Sequence, residues 1–178
     1  MEQKHHIVVL DDNYKILKSY FEELECLGFS VTVTGTFSEF MEVISSSKTI
    51  DLFVIDVMMP PGESPFSDLA SDDGRKTGLI IGRWLREKGI KTPIIFFSIA
   101  WLEEDISRIK DYEKSVENSV HIRKTEVLPS ELGTFIQAVL KKGKVPGNMS
   151  KLLKRLLNSL ELKPNICGVG IDIKKLVE

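Results

Sequence analysis

The chain holds two cysteines in 178 residues, Cys26 and Cys167. Two so widely spaced make neither a disulfide framework nor a zinc knuckle, and a reduced, intracellular compartment is the simplest expectation. Long apolar runs are missing as well: none approaches the roughly 18–20 residues that cross a bilayer. The N-terminal MEQKHHIVVLDDN offers only Ile7–Leu10 before two aspartates, which is not the shape of a signal peptide. A cytoplasmic protein with no membrane role is expected, and the sequon Asn148-Met149-Ser150 is then without consequence. A large net charge is lacking too. At −2, with 42% apolar residues, the composition excludes wholesale disorder. Nucleotide motifs are absent: there is no Walker sequence, and Gly168-Val169-Gly170 lacks the third glycine of a dinucleotide fingerprint.

Charge is present but unevenly spread. Residues 141–178 carry nine Lys/Arg against three acids, leaving an acidic body. A basic tail of this kind docks on the body, on an acidic partner or on nucleic acid, or is simply solvated.

The first 140 residues alternate short β-rich runs with amphipathic stretches. His5–Leu10, Phe29–Thr34, Leu52–Val57, Pro93–Ile99 and Ser119–Arg123 read as strands. Phe29–Thr34 alternates in the manner of an edge, whereas LFVIDV and PIIFFSI are continuous and suit a sheet buried on both faces. Helices are expected over Asn13–Leu27, Phe37–Ser45 with Thr36 as N-cap, Gly78–Lys88, Leu102–Glu117 and Pro129–Lys142. Five βα units of this kind imply a parallel sheet covered by helices. Two segments break the pattern. Pro60–Lys76, PPGESPFSDLASDDGRK, reads as a long loop. After residue 142, GKVPG reads as a linker to an amphipathic helix ending near Leu162, with Met149, Leu152, Leu153, Leu156, Leu157 and Leu160 as one apolar stripe. Its lysines lie opposite leucines, which suits a docked helix better than a groove reader of bases.

In an open parallel sheet, ligands bind at the carboxyl ends of the strands. Those ends carry Asp11 and Asp12, Asp56, Ser98 and Lys124. Three carboxylates close together need a counter-charge, and a hard cation with oxygen ligands, Mg²⁺, supplies one. Asp56 lies in the most apolar run and is a carboxylate able to attack phosphorus. A metal and the Lys124 ammonium would stabilise the transferring oxygens, and the Ser98 hydroxyl could bond the new phosphoryl group. Each residue also has a plainer reading. Asp12 or Asn13 can serve only as a helix cap, Asp56 as a buried partner of Lys124, and Ser98 as a satisfied core hydroxyl.

Taken together, VVLDDN, LFVIDVMMPP, PIIFFSIA and HIRKT resemble the response-regulator receiver domain of two-component signalling, over residues 5 to about 142. The resemblance implies a flavodoxin-like (βα)5 α/β fold with a five-stranded parallel sheet in order 2-1-3-4-5. It makes residues 1–142 a receiver domain and residues 143–178 an extension. It makes Asp56 the phosphoacceptor and Asp11 and Asp12 the acids holding Mg²⁺, with the Met58 carbonyl as a further ligand. Ser98 becomes the switch hydroxyl, Lys124 the phosphoryl-contacting lysine, and His121 stands at the switch aromatic, a surface histidine being the alternative. The implied partners are a sensor histidine kinase or phosphotransfer protein and a downstream protein. Nucleic acid is not favoured, and a homodimer is left open. Such a chain catalyses only its own phosphorylation and hydrolysis. An adaptor that keeps the fold without phosphorylation is the alternative. An aspartate-nucleophile hydrolase would need an acid where Met58 stands. Departures from the family pattern are Thr125 in place of proline, the bulky Ile99 after Ser98, His121, the long 60–76 loop, and a tail too short for a usual DNA-binding output domain.

Overall fold

A computed structural model describes residues 4–46, 49–60, 74–99 and 116–145, together with the backbone of 165–166 and 169–170. Five strands, β1 (His6–Leu10), β2 (Ser30–Thr34), β3 (Leu52–Ile55), β4 (Ile94–Ser98) and β5 (Ser119–Arg123), form one sheet in the order β2-β1-β3-β4-β5. All four pairings are parallel, so the expected topology is the observed one. The helices described are α1 (Lys18–Cys26), α2 (Phe37–Ser45), α3 (Thr77–Glu87) and α4 (Pro129–Lys142). The expected helix over Leu102–Glu117 lies outside the described residues except for Val116 and Glu117, which belong to the turn into β5. The expected tail helix also lies outside them. Asn165–Ile166 and Val169–Gly170 pair as a short antiparallel ladder.

The continuous apolar runs explain the layering. Alternate residues of a strand face opposite sides. Ile7 and Val9, with Val54, Ile95, Phe97 and Ile122, pack against Leu24 of α1 and Leu132, Phe135 and Ile136 of α4. Val8 and Leu10, with Phe53, Ile55, Ile94 and Phe96, pack against Phe40 of α2 and Leu79, Ile81 and Leu85 of α3. Edge strand β2 is only partly covered, as its alternation predicts.

Local chemistry sets the ends of the elements. Thr36 caps α2 in a reciprocal box with Glu39, and Pro129 opens α4. Gly143, at φ 65°, closes α4 in the left-handed region. The described part of the segment read as a linker, residues 143–145, touches the body. The Val145 amide donates to Asn118 Oδ1 at 2.8 Å, and its side chain joins the α1/α4 core. The expected helix from Asn13 begins instead as a 3₁₀ turn, Tyr14–Leu17, and neither flanking side chain caps it. Cys26 is the last residue of α1. The other cysteine of the sequence, Cys167, lies outside the described residues. Among the described residues no helix is long and apolar enough to cross a membrane.

Candidate functional site

The strand order reverses between β1 and β3, so the carboxyl ends of these neighbours flank a crevice. Register decides what stands there. Leu10 pairs with Ile55, and the next amide, Asp56 N–H, donates to the Leu10 carbonyl at 2.8 Å. Asp11 and Asp56 therefore leave the sheet side by side. On the other flank Ser98 pairs with Arg123, and Lys124 N–H donates to the Ser98 carbonyl at 3.0 Å. Parallel ladders thus deliver all four positions to one edge, because every strand stops at the same level.

The side chains converge. Lys124 Nζ donates to Asp11 Oδ2 and to Asp56 Oδ2, each at 2.6 Å, and all three residues are buried. The ammonium also lies 5.9 Å from the Phe97 ring centroid, the face of which favours a cation. The plain pairing of Asp56 with Lys124 is thus real, but Asp11 shares the ammonium.

One ammonium cannot neutralise three carboxylates. Ligand atoms of Asp11, Asp12 and Asp56 lie within 4.8 Å of one another. Burial pushes Asp56 up to about 6; Lys124 opposes this, and Asp11 adds to it. Asp12 is likewise raised, first by burial and then by Asp11. Burial alone would lower Lys124, but Asp56 and Asp11 outweigh it and hold the ammonium above its ordinary value. Among the described side chains the sole buried polar atom lacking a hydrogen-bond partner is Asp12 Oδ1. An orphaned carboxylate oxygen beside two other acids is what an oxygen-preferring cation would satisfy. The donor set therefore fits Mg²⁺. The capping alternative fails: Asp11 Oδ1 accepts from Asn13 N–H at 2.9 Å, a local turn, and no side chain caps the 3₁₀ turn.

Met58 N–H donates to Asp56 Oδ1 at 3.1 Å and orients the carboxylate. Ser98 and His121 are both buried, with Ser98 Oγ and His121 Nε2 3.2 Å apart. His121 is therefore no surface histidine. Ile99 is half-buried, and Thr125 is exposed.

Beneath Asp56 the backbone is close-packed. A Cβ on Gly78 would stand 1.9 Å from the Asp56 carbonyl oxygen, and Gly78 N–H donates to the Val57 carbonyl at 3.1 Å. The two ends of the long loop are clamped together nearby. Met59 N–H donates to the Gly74 carbonyl at 3.0 Å, and Thr77 Oγ1 donates to the Met59 carbonyl at 2.9 Å. Residues 61–73 of that loop lie outside the described residues. Two contributors escape a sequence reading: Gly78, far from Asp56 along the chain, and Tyr20, whose hydroxyl reaches the carbonyls of Lys124 and Val127.

No family model and no curated protein matches the chain. Solved structures do. The Francisella response regulator 1452 receiver domain is 25% identical over 79% of this chain and 100% of its own, with a TM-score of 0.60. The fold is that of a response-regulator receiver. The receiver domain of RcsB from Salmonella enterica serovar Typhimurium, solved in the presence of phosphomimetic BeF3−, shares 18% identity over 84% of this chain and 99% of its own, with a TM-score of 0.58. The response regulator DrrB of Thermotoga maritima, an OmpR/PhoB homologue, shares 22% over 80% of this chain, with a TM-score of 0.57. The chain spans 55% of DrrB's length. The receiver fold thus places its crevice where the three aspartates and Lys124 meet.

Proposed function

We infer that this receiver accepts a phosphoryl group on Asp56 and uses it to change its affinity for a downstream protein. The observation that carries the reading is the Lys124 ammonium shared at 2.6 Å between Asp11 and Asp56. Beside them stands the unpartnered Asp12 oxygen. Asp11, Asp12 and Asp56, with the Met58 carbonyl, would hold Mg²⁺. When bound, that cation supplies positive charge for the carboxylates and for the phosphoryl oxygens.

The remaining chemistry belongs to the chain. The Asp56 carboxylate, ionised above pH about 6, attacks phosphorus, and a P–O bond forms. From a phosphohistidine donor the P–N bond breaks, and the imidazole keeps the electron pair and takes up a proton. Lys124 is placed to follow the negative charge from the carboxylate onto the phosphoryl oxygens. The Ser98 hydroxyl, now beside His121, is the group those oxygens would recruit. Its departure would take the Ser98 contact away from His121 and so carry the change toward the β5 face. The donor is a sensor histidine kinase or a phosphotransfer protein, and the setting is the cytoplasm. The chain turns over no metabolite.

Intact mass after incubation with acetyl phosphate and Mg²⁺ tests this reading. One added phosphoryl group that requires the metal and is absent in Asp56→Asn is expected. No added mass on a folded chain, with a donor that labels another receiver, would leave the adaptor reading in its place.

A further inference from the structure

Lys124 is the last residue held by the sheet; beyond it the chain must turn into α4. That turn is closed by Glu126 N–H donating to the Arg123 carbonyl at 3.0 Å and by an ion pair between Arg123 and Glu126. Residue 125 is threonine, which has no ring to fix its φ. The turn is therefore held by these contacts and not by a ring at residue 125.

A side chain from α1 adds a further hold. The Tyr20 hydroxyl lies 2.7 Å from the Val127 carbonyl oxygen and 3.2 Å from that of Lys124. A phenol has one proton, so this is a three-centre bond with Val127 as its shorter arm. The two carbonyls bracket the turn, and one hydroxyl ties both ends to α1. The Tyr20 ring then meets Phe97 edge to face, centroids 5.3 Å apart. Phe97 in turn lies below the Lys124 ammonium. Tyr20 thus supports Lys124 twice, at its carbonyl and through the ring beneath its Nζ.

We propose that Tyr20 is a positioning residue for Lys124: its hydroxyl fixes the turn from which the ammonium reaches Asp11 and Asp56. Its effect on phosphoryl transfer rests on the function inferred above; its effect on the ammonium does not. An ammonium buried between two carboxylates exchanges its protons slowly, and a small displacement of a charged group in a transfer site slows the reaction by roughly tenfold or more.

The test uses the full chain, labelled with ¹⁵N-lysine, as wild type and Tyr20→Phe. The variant keeps the ring on Phe97 and loses the hydroxyl. The Lys124 ammonium resonance is assigned by its loss in Lys124→Arg. Val139→Ala, in the core of α4 away from the site, controls for lowered stability alone. Tyr20→Phe is expected to accelerate exchange of the Lys124 ammonium protons about tenfold and to slow labelling by acetyl phosphate and Mg²⁺ by a similar factor. Val139→Ala is expected to change neither. The proposal is overturned if the wild type shows no protected Lys124 ammonium, or if Tyr20→Phe keeps wild-type exchange. It is also overturned if an accepting chain keeps its labelling rate in Tyr20→Phe. A wild type that takes no phosphoryl group yet shows Tyr20-dependent protection would uphold the positioning role and refute the phosphoacceptor reading.

Discussion

Replacing Asp56 by asparagine should make this protein more stable at pH 8, although it removes a charge from an ion pair. The sign follows from the site. The Asp56 carboxyl titrates near 6 in the fold against an ordinary 3.8, because burial and Asp11 together outweigh Lys124. Between those values the native state binds a proton that the unfolded chain does not, so stability falls as pH rises through the window. Above pH about 6 the penalty is complete; below about 4 it is gone. Moving an ordinary carboxyl from 3.8 to about 6 corresponds to about 3 kcal/mol, at 1.36 kcal/mol for each tenfold in the proton equilibrium. The substituted amide imitates the protonated acid and still offers an oxygen to Lys124 Nζ. Asp56→Asn is therefore expected to gain up to about 3 kcal/mol at pH 8, or about 6–12 °C in melting temperature for a chain of this size. The gain should fade toward pH 4. Urea denaturation of both proteins in EDTA at pH 8, 6 and 4.5 measures it. Added Mg²⁺ should then stabilise the wild type at pH 8 and close the gap. A variant no more stable than wild type at pH 8, or a gain that ignores pH, would refute the reasoning.

Two further outcomes follow from the same geometry. Lys124→Met leaves Asp11 and Asp56 facing one another without the ammonium they share. It should cost about 3–5 kcal/mol at pH 8, with the loss shrinking toward pH 4 as Asp56 takes up a proton, which the same denaturation series reads. Gly78→Ala drives a methyl into backbone atoms of Asp56 and Val57, 1.9–2.9 Å away, and backbone cannot yield as a side chain does. It should destabilise by about 3 kcal/mol or more and slow labelling of Asp56; equal stability would show that α3 shifts freely.

The sheet and its order were legible because parallel strands buried on both faces leave continuous apolar runs. The level at which each run ends names the residues at the crevice. Asp11, Asp56, Ser98 and Lys124 could be read that way, since each directly follows or closes its strand. Asp12 could not be told from a cap in sequence, because a cap differs from a ligand only in what the side-chain oxygen meets. Tyr20 was not legible for another reason. In α1 it falls at an ordinary core position, and its hydroxyl partners lie 104 and 107 residues away. The 3₁₀ start of the first helix left no trace in the apolar spacing. His121 was ambiguous between a buried and a surface position, because the short strand carrying it is flanked by polar residues. Gly78 read as the start of a helix, not as the place where that helix meets the backbone of Asp56.

The clamp at the base of the long loop has a consequence for how such a protein can vary. Met59 meets Gly74, and Thr77 meets Met59, so the chain between them begins and ends at fixed points. Closing a loop of twice the length costs only about 0.6 kcal/mol more, in chain entropy. The span from 60 to 73 is therefore a graft site. Sequence of different length can be exchanged there, a few residues from Asp56, between two ends that the clamp holds in place. Lineages that need a new partner, and engineers who want an epitope beside Asp56, would both find a low-cost place to write it in that stretch.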